Sequence, residues 1–272
     1  MKSQERSLER LRHHYEVERE LAARLRKSDR TERTKLFATL YDELFERVPD
    51  HPRLTRRETE EESRRNIESQ MRLLAPHLRP DAVLLEFAPG DCRLGFAAAG
   101  RCRKVIGVDI SDQRADNDPG PENFDLVVYD GYHLDLPAES VDVAFSYQFL
   151  EHLHPDDVDP HFQIVHRLLK PGGVYVFDTP HRFSGPHDIS RYFGDGLDCF
   201  HFQEWTFREM RRLLTRNGFH SSHPHRGGRV RTSSGFRILH EGLESLVDIL
   251  PKALRQKLSA RLFQSVALSA VK

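Results

Sequence analysis

The chain has 272 residues and sets 41 Lys+Arg against 42 Asp+Glu, a net charge of -1. That length buries a full core without metal or disulfide, and the charge balance excludes a protein that holds nucleic acid by bulk charge. Cys92, Cys102 and Cys199 are odd in number and far apart, so they frame neither a secreted disulfide scaffold nor a zinc site, and a reduced, cytoplasmic setting is expected. No window approaches the ~18 apolar residues of a spanning helix and the N-terminus is charged throughout, so neither a signal peptide nor a membrane partner is expected.

In chain order, residues 1–75 read as a helical N-terminal cap or lid, because apolar residues recur at three- and four-residue intervals in a charged background. Leu36, Leu40 and Leu44 beside Phe37, Tyr41 and Phe45 form two adjacent rows, one wide apolar stripe. Residues 4–27 carry a raggeder seam and a solvated face, and Val48-Pro49-Asp50-His51-Pro52 reads as a turn. From residue 76 the pattern becomes α/β. Val83–Phe87, Val105–Val108, Leu126–Tyr129, Val141–Ser146 and Val174–Asp178 read as buried parallel strands. Asp159-Pro160 predicts a helix start, and Lys170-Pro171-Gly172-Gly173 its end. Thr206 and Glu209 predict a capping box, with Gly218 as the stop. Residues 236–263 read as a helical insertion interrupted near Pro251, and Ser265–Val271 as a last strand.

The chemistry concentrates at strand ends. Val83–Phe87 runs into Ala88-Pro89-Gly90-Asp91, a tight turn that opens into a helix, and such a turn brings backbone close to a ligand at the carboxyl edge of a sheet. Asp109 ends the second strand, where a carboxylate can accept both hydroxyls of a ribose. Asp130-Gly131 ends the third, with a carboxylate for an exocyclic amine and room for a ring. Each carboxylate alone is commonly a strand-end cap; their succession points to a nucleoside.

These motifs, in this order, resemble the class I S-adenosylmethionine-dependent methyltransferases over roughly residues 65–220. Leu85 to Asp91 is similar to the glycine-rich first motif, Val108-Asp109 to the acidic second, and Asp130 to Pro137 to the adenine-contacting segment. Ser140 to Ser146 with Phe149 to Leu153, Leu168 to Gly173, and Asn217-Gly218-Phe219 match the later strands and turns. The resemblance implies a Rossmann-like doubly wound seven-stranded sheet with an antiparallel last strand and helical caps at both ends, residues 76–272 forming the methyltransferase domain. It implies S-adenosyl-L-methionine as cofactor, held by Glu86, Ala88, Gly90, Asp91, Asp109, Ile110, Asp130, Gly131 and Tyr147. Ala88 and Cys92 stand where the family usually has glycine; alanine is expected to keep the close approach with a negative φ.

Methyl transfer asks a protein to align nucleophile, methyl and sulfur, and a base is needed where the nucleophile carries a proton. The histidine-rich stretch after the fifth strand supplies candidates: His187 or His201 as base, Asp188 orienting one of them, and His181, Arg191, Tyr192 and Trp205 shaping a substrate pocket. The plainer alternative has Asp188 capping a helix near Ser190 and His187 packing. His181, His187 and His201 lack a ligand spacing, so no metal is assigned, while His152 and His154 read as packing and capping groups. The acceptor is expected to be a small or medium-sized molecule taking the methyl on oxygen or nitrogen. Nucleic acid fits poorly, because the basic excess is confined to Arg24, Arg26, Lys27, Arg30, Arg33 and Lys35. A non-catalytic protein of this fold and a nicotinamide-dependent oxidoreductase are the competing readings; the second lacks its Gly-x-Gly-x-x-Gly pattern.

Overall fold

The computed structural model describes residues 6–55, 59–114 and 118–272. Its centre is β1 (Val83–Phe87), buried along its whole length. β2 (Lys104–Asp109) and β4 (Val141–Tyr147) flank it in parallel, β3 (Phe124–Val128) lies outside β2, and β5 (Leu169–Pro180) lies outside β4. β8 (Ser265–Val271) inserts antiparallel between β5 and β6 (Ser221–Arg226). An eighth, two-residue strand, β7 (Arg229–Val230), extends β6 through the left-handed pair Gly227-Gly228, giving the order β3-β2-β1-β4-β5-β8-β6-β7. Seven of these strands are the expected doubly wound set with its antiparallel last member; β7 is an addition too short for periodicity to announce. The order reverses between β1 and β4, so a crevice opens at the carboxyl ends of the strands there.

Alternation on the strands explains the two layers of helix. Leu85, Phe87, Tyr175 and Phe177 face α7 (Val158–Leu168) and α8 (Phe207–Arg216), which contribute Phe162, Val165, Met210 and Leu214. Leu84, Val143, Phe145 and Val176 face the other way, onto Leu74 of α5 (Glu60–Leu74) and Leu94 and Ala98 of α6 (Arg93–Ala99). The predicted capping box of α8 is present, Thr206 and Glu209 each bonding the other's backbone N–H. The predicted start of α7 is corrected: the helix is capped at Asp157, and Asp159 instead accepts from Arg216 and Asn217 at 2.6–2.7 Å, tying α7 to α8.

The N-terminal segment is a separate helical layer. α1 (Leu8–Lys27), α2 (Arg30–Phe37) and α3 (Leu40–Arg47) share a cluster of Val17, Leu21, Leu40 and Leu44 with Phe200 from the loop after β5. The stripe from Leu36 to Phe45 is therefore real but broken at Ala38-Thr39, which divides it between two helices. α4 (Pro52–Thr55) follows the proline turn. Arg33, 3% exposed, fastens this layer: it donates to the Tyr132 hydroxyl and to Asp157, both at 3.0 Å. Arg26 donates to the carbonyls of Leu197, Asp198 and Cys199. Two cations of the basic run thus serve the fold.

The C-terminal insertion forms α9 (Ser234–Asp248) and α10 (Lys252–Leu262), broken at Pro251 as expected. It is held by His181, fully buried, which shares one ring nitrogen with Glu244 at 2.9 Å and the other with Ser259 at 3.1 Å, its ring stacked on Phe263. Glu244 also accepts from the backbone N–H groups of Phe207 and Arg208 at the start of α8. Removing a carboxylate that serves three donors leaves each of them unpaired in the interior. Glu244→Ala is therefore expected to lower the unfolding free energy by about 3 kcal/mol, read as a fall in urea midpoint at unchanged slope.

Candidate active site

The turn after β1 is built from backbone in the left-handed region: Ala88 at φ 52°, Gly90 at 57° and Cys92 at 63°. The expected negative φ at Ala88 is overturned. Its N–H donates to Val108 O at 2.8 Å, which fixes the residue in register with β2 whatever its intrinsic preference. Both positions where the family pattern has glycine thus keep a glycine-like backbone. Asp109 holds the turn from the neighbouring strand. Its Oδ2 accepts from Gly90 N–H at 3.3 Å and its Oδ1 from Ile110 N–H at 2.7 Å, while burial pushes its pKa up.

A cleft of about 210 Å³ lies over this turn. Glu86, Ala88, Asp91 and Tyr147 form its sheet side, and Ser63, Asn66, Ile67 and Gln70 of α5 its roof. Glu86 is 4% exposed, and among the described residues its Oε2 has no hydrogen bond of ordinary geometry. Burial, then the nearby Asp91 and Asp109, raises its pKa to about 8, against only a minor downward pull from the Gly95 N–H. A Cβ on Gly90 would meet nothing within 4 Å, so backbone there is open to a ligand. Tyr147, at the end of β4, is pushed up to about 12 by burial and by Asp178 and Glu151. A larger hollow of about 340 Å³ lies beside the turn into β5, but its carboxylate, Asp142, is already bonded to Val83 N–H and Lys170.

Asp130 and Gly131 stand at the end of β3, outside the residues lining that cleft. Burial pulls the Asp130 carboxyl upward, yet bonds from His133 and from the Tyr132 N–H hold it at about 2. Gly131, at φ 88°, lies under the Phe37 ring of α2, which a Cβ would meet at 3.4 Å. Arg53 of α4 acts electrostatically on both Asp109 and His152. Phe37 of the N-terminal layer thus covers Gly131, while Ser63, Asn66 and Gln70 line the cleft, contacts that strand-end motifs could not reveal.

Beyond Tyr147 lies a second polar cluster. Glu151 is fully buried; its Oε2 accepts from the Thr179 hydroxyl at 2.9 Å, and among the described residues its Oε1 has no partner. Burial raises its pKa to about 7. His152 is bonded through Nδ1 to Phe200 O at 3.0 Å and driven down to about 3 by burial. His201 is bonded through Nδ1 to Glu204 at 3.0 Å; burial lowers its pKa, but Glu204, Glu151 and Asp188 outweigh this and leave it raised. Glu151, His152 and His201 bring atoms able to ligate a metal within 4.8 Å of one another, a set the spacing did not announce.

Several expectations for this loop are redrawn. Glu204, 1% exposed, does the orienting given to Asp188: it also accepts from His187 N–H at 2.7 Å and from His187 Nδ1 at 3.0 Å. Two imidazoles outweigh the upward pull of burial and hold it at about 2. Asp188 takes the plainer part, capping Ser190 N–H at 2.9 Å and accepting from the backbone N–H of His201 at 3.4 Å. His187 meets Ser184 with its other nitrogen at 3.2 Å. His181 and Trp205 are buried in the core, 0% and 5% exposed, and line neither the cleft nor the larger hollow described above. Arg191 and Tyr192 bond each other on the exterior. His154 caps Asp156 N–H as expected, whereas His152 joins the cluster.

A parallel sheet reversing at β1/β4, closed by an antiparallel β8 where a second nucleotide-binding half would continue, with a left-handed turn beside a buried carboxylate, defines a Rossmann-like class of α/β fold. Residues 85–177 match the family model described as a methyltransferase domain. The matched stretch, about a third of the chain, runs from β1 into β5 and includes the left-handed turn. The chain is 32% identical over 134 residues to a probable S-adenosylmethionine-dependent methyltransferase of Mycolicibacterium smegmatis, covering 47% of this chain and 49% of that one. The chain thus spans about half the length of that curated relative. Among solved structures it is similar to a SAM dependent methyltransferase from Archaeoglobus fulgidus, with TM-score 0.52 and 18% identity over 77% of this chain and 94% of that one. It is also similar to phosphoethanolamine N-methyltransferase 2 of Haemonchus contortus, with TM-score 0.51 and 15% identity over 75% of this chain and 52% of that one. Both likenesses carry the fold.

The left-handed alanine gives a direct test of the turn. Ala88→Gly is expected to be neutral to stabilising by up to ~1 kcal/mol, and Ala88→Val, β-branched at positive φ, to destabilise by about 2 kcal/mol, both read from urea midpoints.

Proposed function

We propose that this protein transfers a methyl group from S-adenosyl-L-methionine to a small or medium-sized acceptor through oxygen or nitrogen. The observation that carries the reading is Glu86: a buried carboxylate with an oxygen lacking a hydrogen bond of ordinary geometry, at the foot of a cleft beside open backbone at Gly90. An unsatisfied buried acceptor fits a ligand that brings its own donors, and the ammonium of a methionine portion is such a donor. Glu86 would hold that ammonium, with Ala88, Gly90 and Asp91 along the methionine portion. Asp109 and Ile110 would meet the ribose, Asp130 and Gly131 the adenine beneath Phe37, and Tyr147 the sulfonium end. Bound there, the cofactor supplies an electrophilic methyl on sulfur.

The rest is positioning and proton removal. The roof from α5 and the N-terminal layer keep water from the cleft. His201 is the base in this reading, because Glu204 fixes its ring and raises its proton affinity, and a ring nitrogen of His201 lies within 4.8 Å of polar atoms of Glu151 and His152. Glu204, His187 and Asp188 are positioning residues. Glu151 acts electrostatically on Tyr147 and interacts with His201, which supports an acceptor bound near these three residues.

Two measurements test this. In the free protein the Glu86 carboxyl is largely protonated below its pKa of about 8, and ionisation is needed to receive an ammonium. Affinity for S-adenosylhomocysteine is therefore expected to rise from pH 6 to 8, by up to about tenfold per unit, with a proton released on binding. Glu86→Gln should flatten that profile and Asp109→Ala abolish binding in the calorimeter; a pH-independent affinity contradicts the assignment. For turnover, an acceptor found by a one-methyl mass gain in cell extract is the substrate. With it, His201→Ala is expected to lower kcat about 10²- to 10⁴-fold at unchanged cofactor affinity. Glu204→Gln removes a charge that raises the proton affinity of His201 and so should move the acidic limb of the rate profile to lower pH.

A further inference from the structure

We infer that the α9–α10 hairpin docks on an anionic lipid surface. α9 already satisfies its inward face: Val247 is 2% exposed and Glu244 is bonded to His181 and the start of α8. Its outward face is apolar. At 100° per residue, Gly235, Ile238, Leu239, Gly242, Leu246 and Ile249 fall within an arc of about 100°, and all six are exposed. Ile238, Leu239, Leu246 and Ile249 are 68%, 70%, 62% and 80% exposed. Across Pro251, exposed Leu254 of α10 is followed at i+3 and i+7 by exposed Lys257 and Arg261 on the same face.

Charge selects the occupant. Residues 226–263 contain eight Lys+Arg and three carboxylates, a local net of +5 in a chain whose total is -1. The three carboxylates are engaged: Glu241 with Arg211, Glu244 with His181, and Asp248 with Arg208 and Arg255. Among the described residues Arg229, Arg231, Lys257 and Arg261 have no carboxylate partner, and all four are exposed. An exposed aliphatic stripe within a segment of net positive charge is the pattern of a helix lying in a lipid interface, its apolar side at the acyl boundary and the segment's cations on the headgroups. A second copy would set the same positive segment against itself, which like-charge repulsion opposes. No helix among the described residues is long and apolar enough to cross a membrane.

The test is flotation of the full chain with vesicles of phosphatidylglycerol and phosphatidylcholine, against pure phosphatidylcholine. Partitioning is expected to be at least about tenfold stronger on the anionic vesicles at ~0.1 M salt and to collapse at ~0.5 M. Ile238→Glu with Leu246→Glu should reduce it at least about tenfold, and so should Lys257→Glu with Arg261→Glu. Both variants lie on the exterior, so their urea midpoints and S-adenosylhomocysteine affinity should match the parent. Equal partitioning on both vesicles, none on either, or variants that bind like the parent would overturn the proposal. So would light scattering that finds a dimer which the Ile238/Leu246 variant dissolves, because the stripe then belongs to a second copy.

Discussion

The cleft depends on one carboxylate spanning two strands. Asp109 sits at the end of β2 but accepts from Gly90 N–H in the turn after β1, so the strand ends and the left-handed loop move as a unit. With Ala88 N–H on Val108 O, this crosslink lets alanine and cysteine occupy conformations that favour glycine. Local strain of this kind persists where surrounding structure over-determines it. Here the surroundings are the two central strands, buried on both faces.

Three buried glutamates show how environment divides the work of one residue type. Glu204 has two imidazoles and a backbone N–H around it and stays ionised; Glu86 and Glu151 each retain an oxygen without a hydrogen bond of ordinary geometry among the described residues and are pushed to about 8 and about 7. The first is an anchor. The other two face opposite ends of the same region, Glu86 beneath the left-handed turn and Glu151 beside the histidines. Leaving buried acceptors unsatisfied costs stability in the free protein, and that cost is recovered only when something with donors fills the space.

The strands were legible because buried parallel strands are short apolar runs, and Ser265–Val271 matches β8 end to end. The strand-end acids were legible because loop geometry is local. The loop after β5 was not. His181 looks like a pocket residue in the sequence, yet its partners Glu244 and Ser259 are 63 and 78 residues away, on helices whose docking nothing local announces. Glu204 was passed over for Asp188 because adjacency to His187 was the only cue, while the fold brings a residue 17 positions on to the ring. Phe37 was visible as part of an apolar stripe but not as the cover of Gly131. Averaging over the chain likewise hid the basic segment around α9 and α10, whose excess is cancelled elsewhere.

Arg33 gives the N-terminal layer a mechanical character. Its guanidinium reaches Tyr132 and Asp157, while Phe37, one turn further along the same helix, rests on Gly131. That ring shares its hydrophobic cluster with α1 and α3. Shifting the ring off Gly131 is therefore coupled to the packing of a whole helical layer and to the bonds of a single guanidinium.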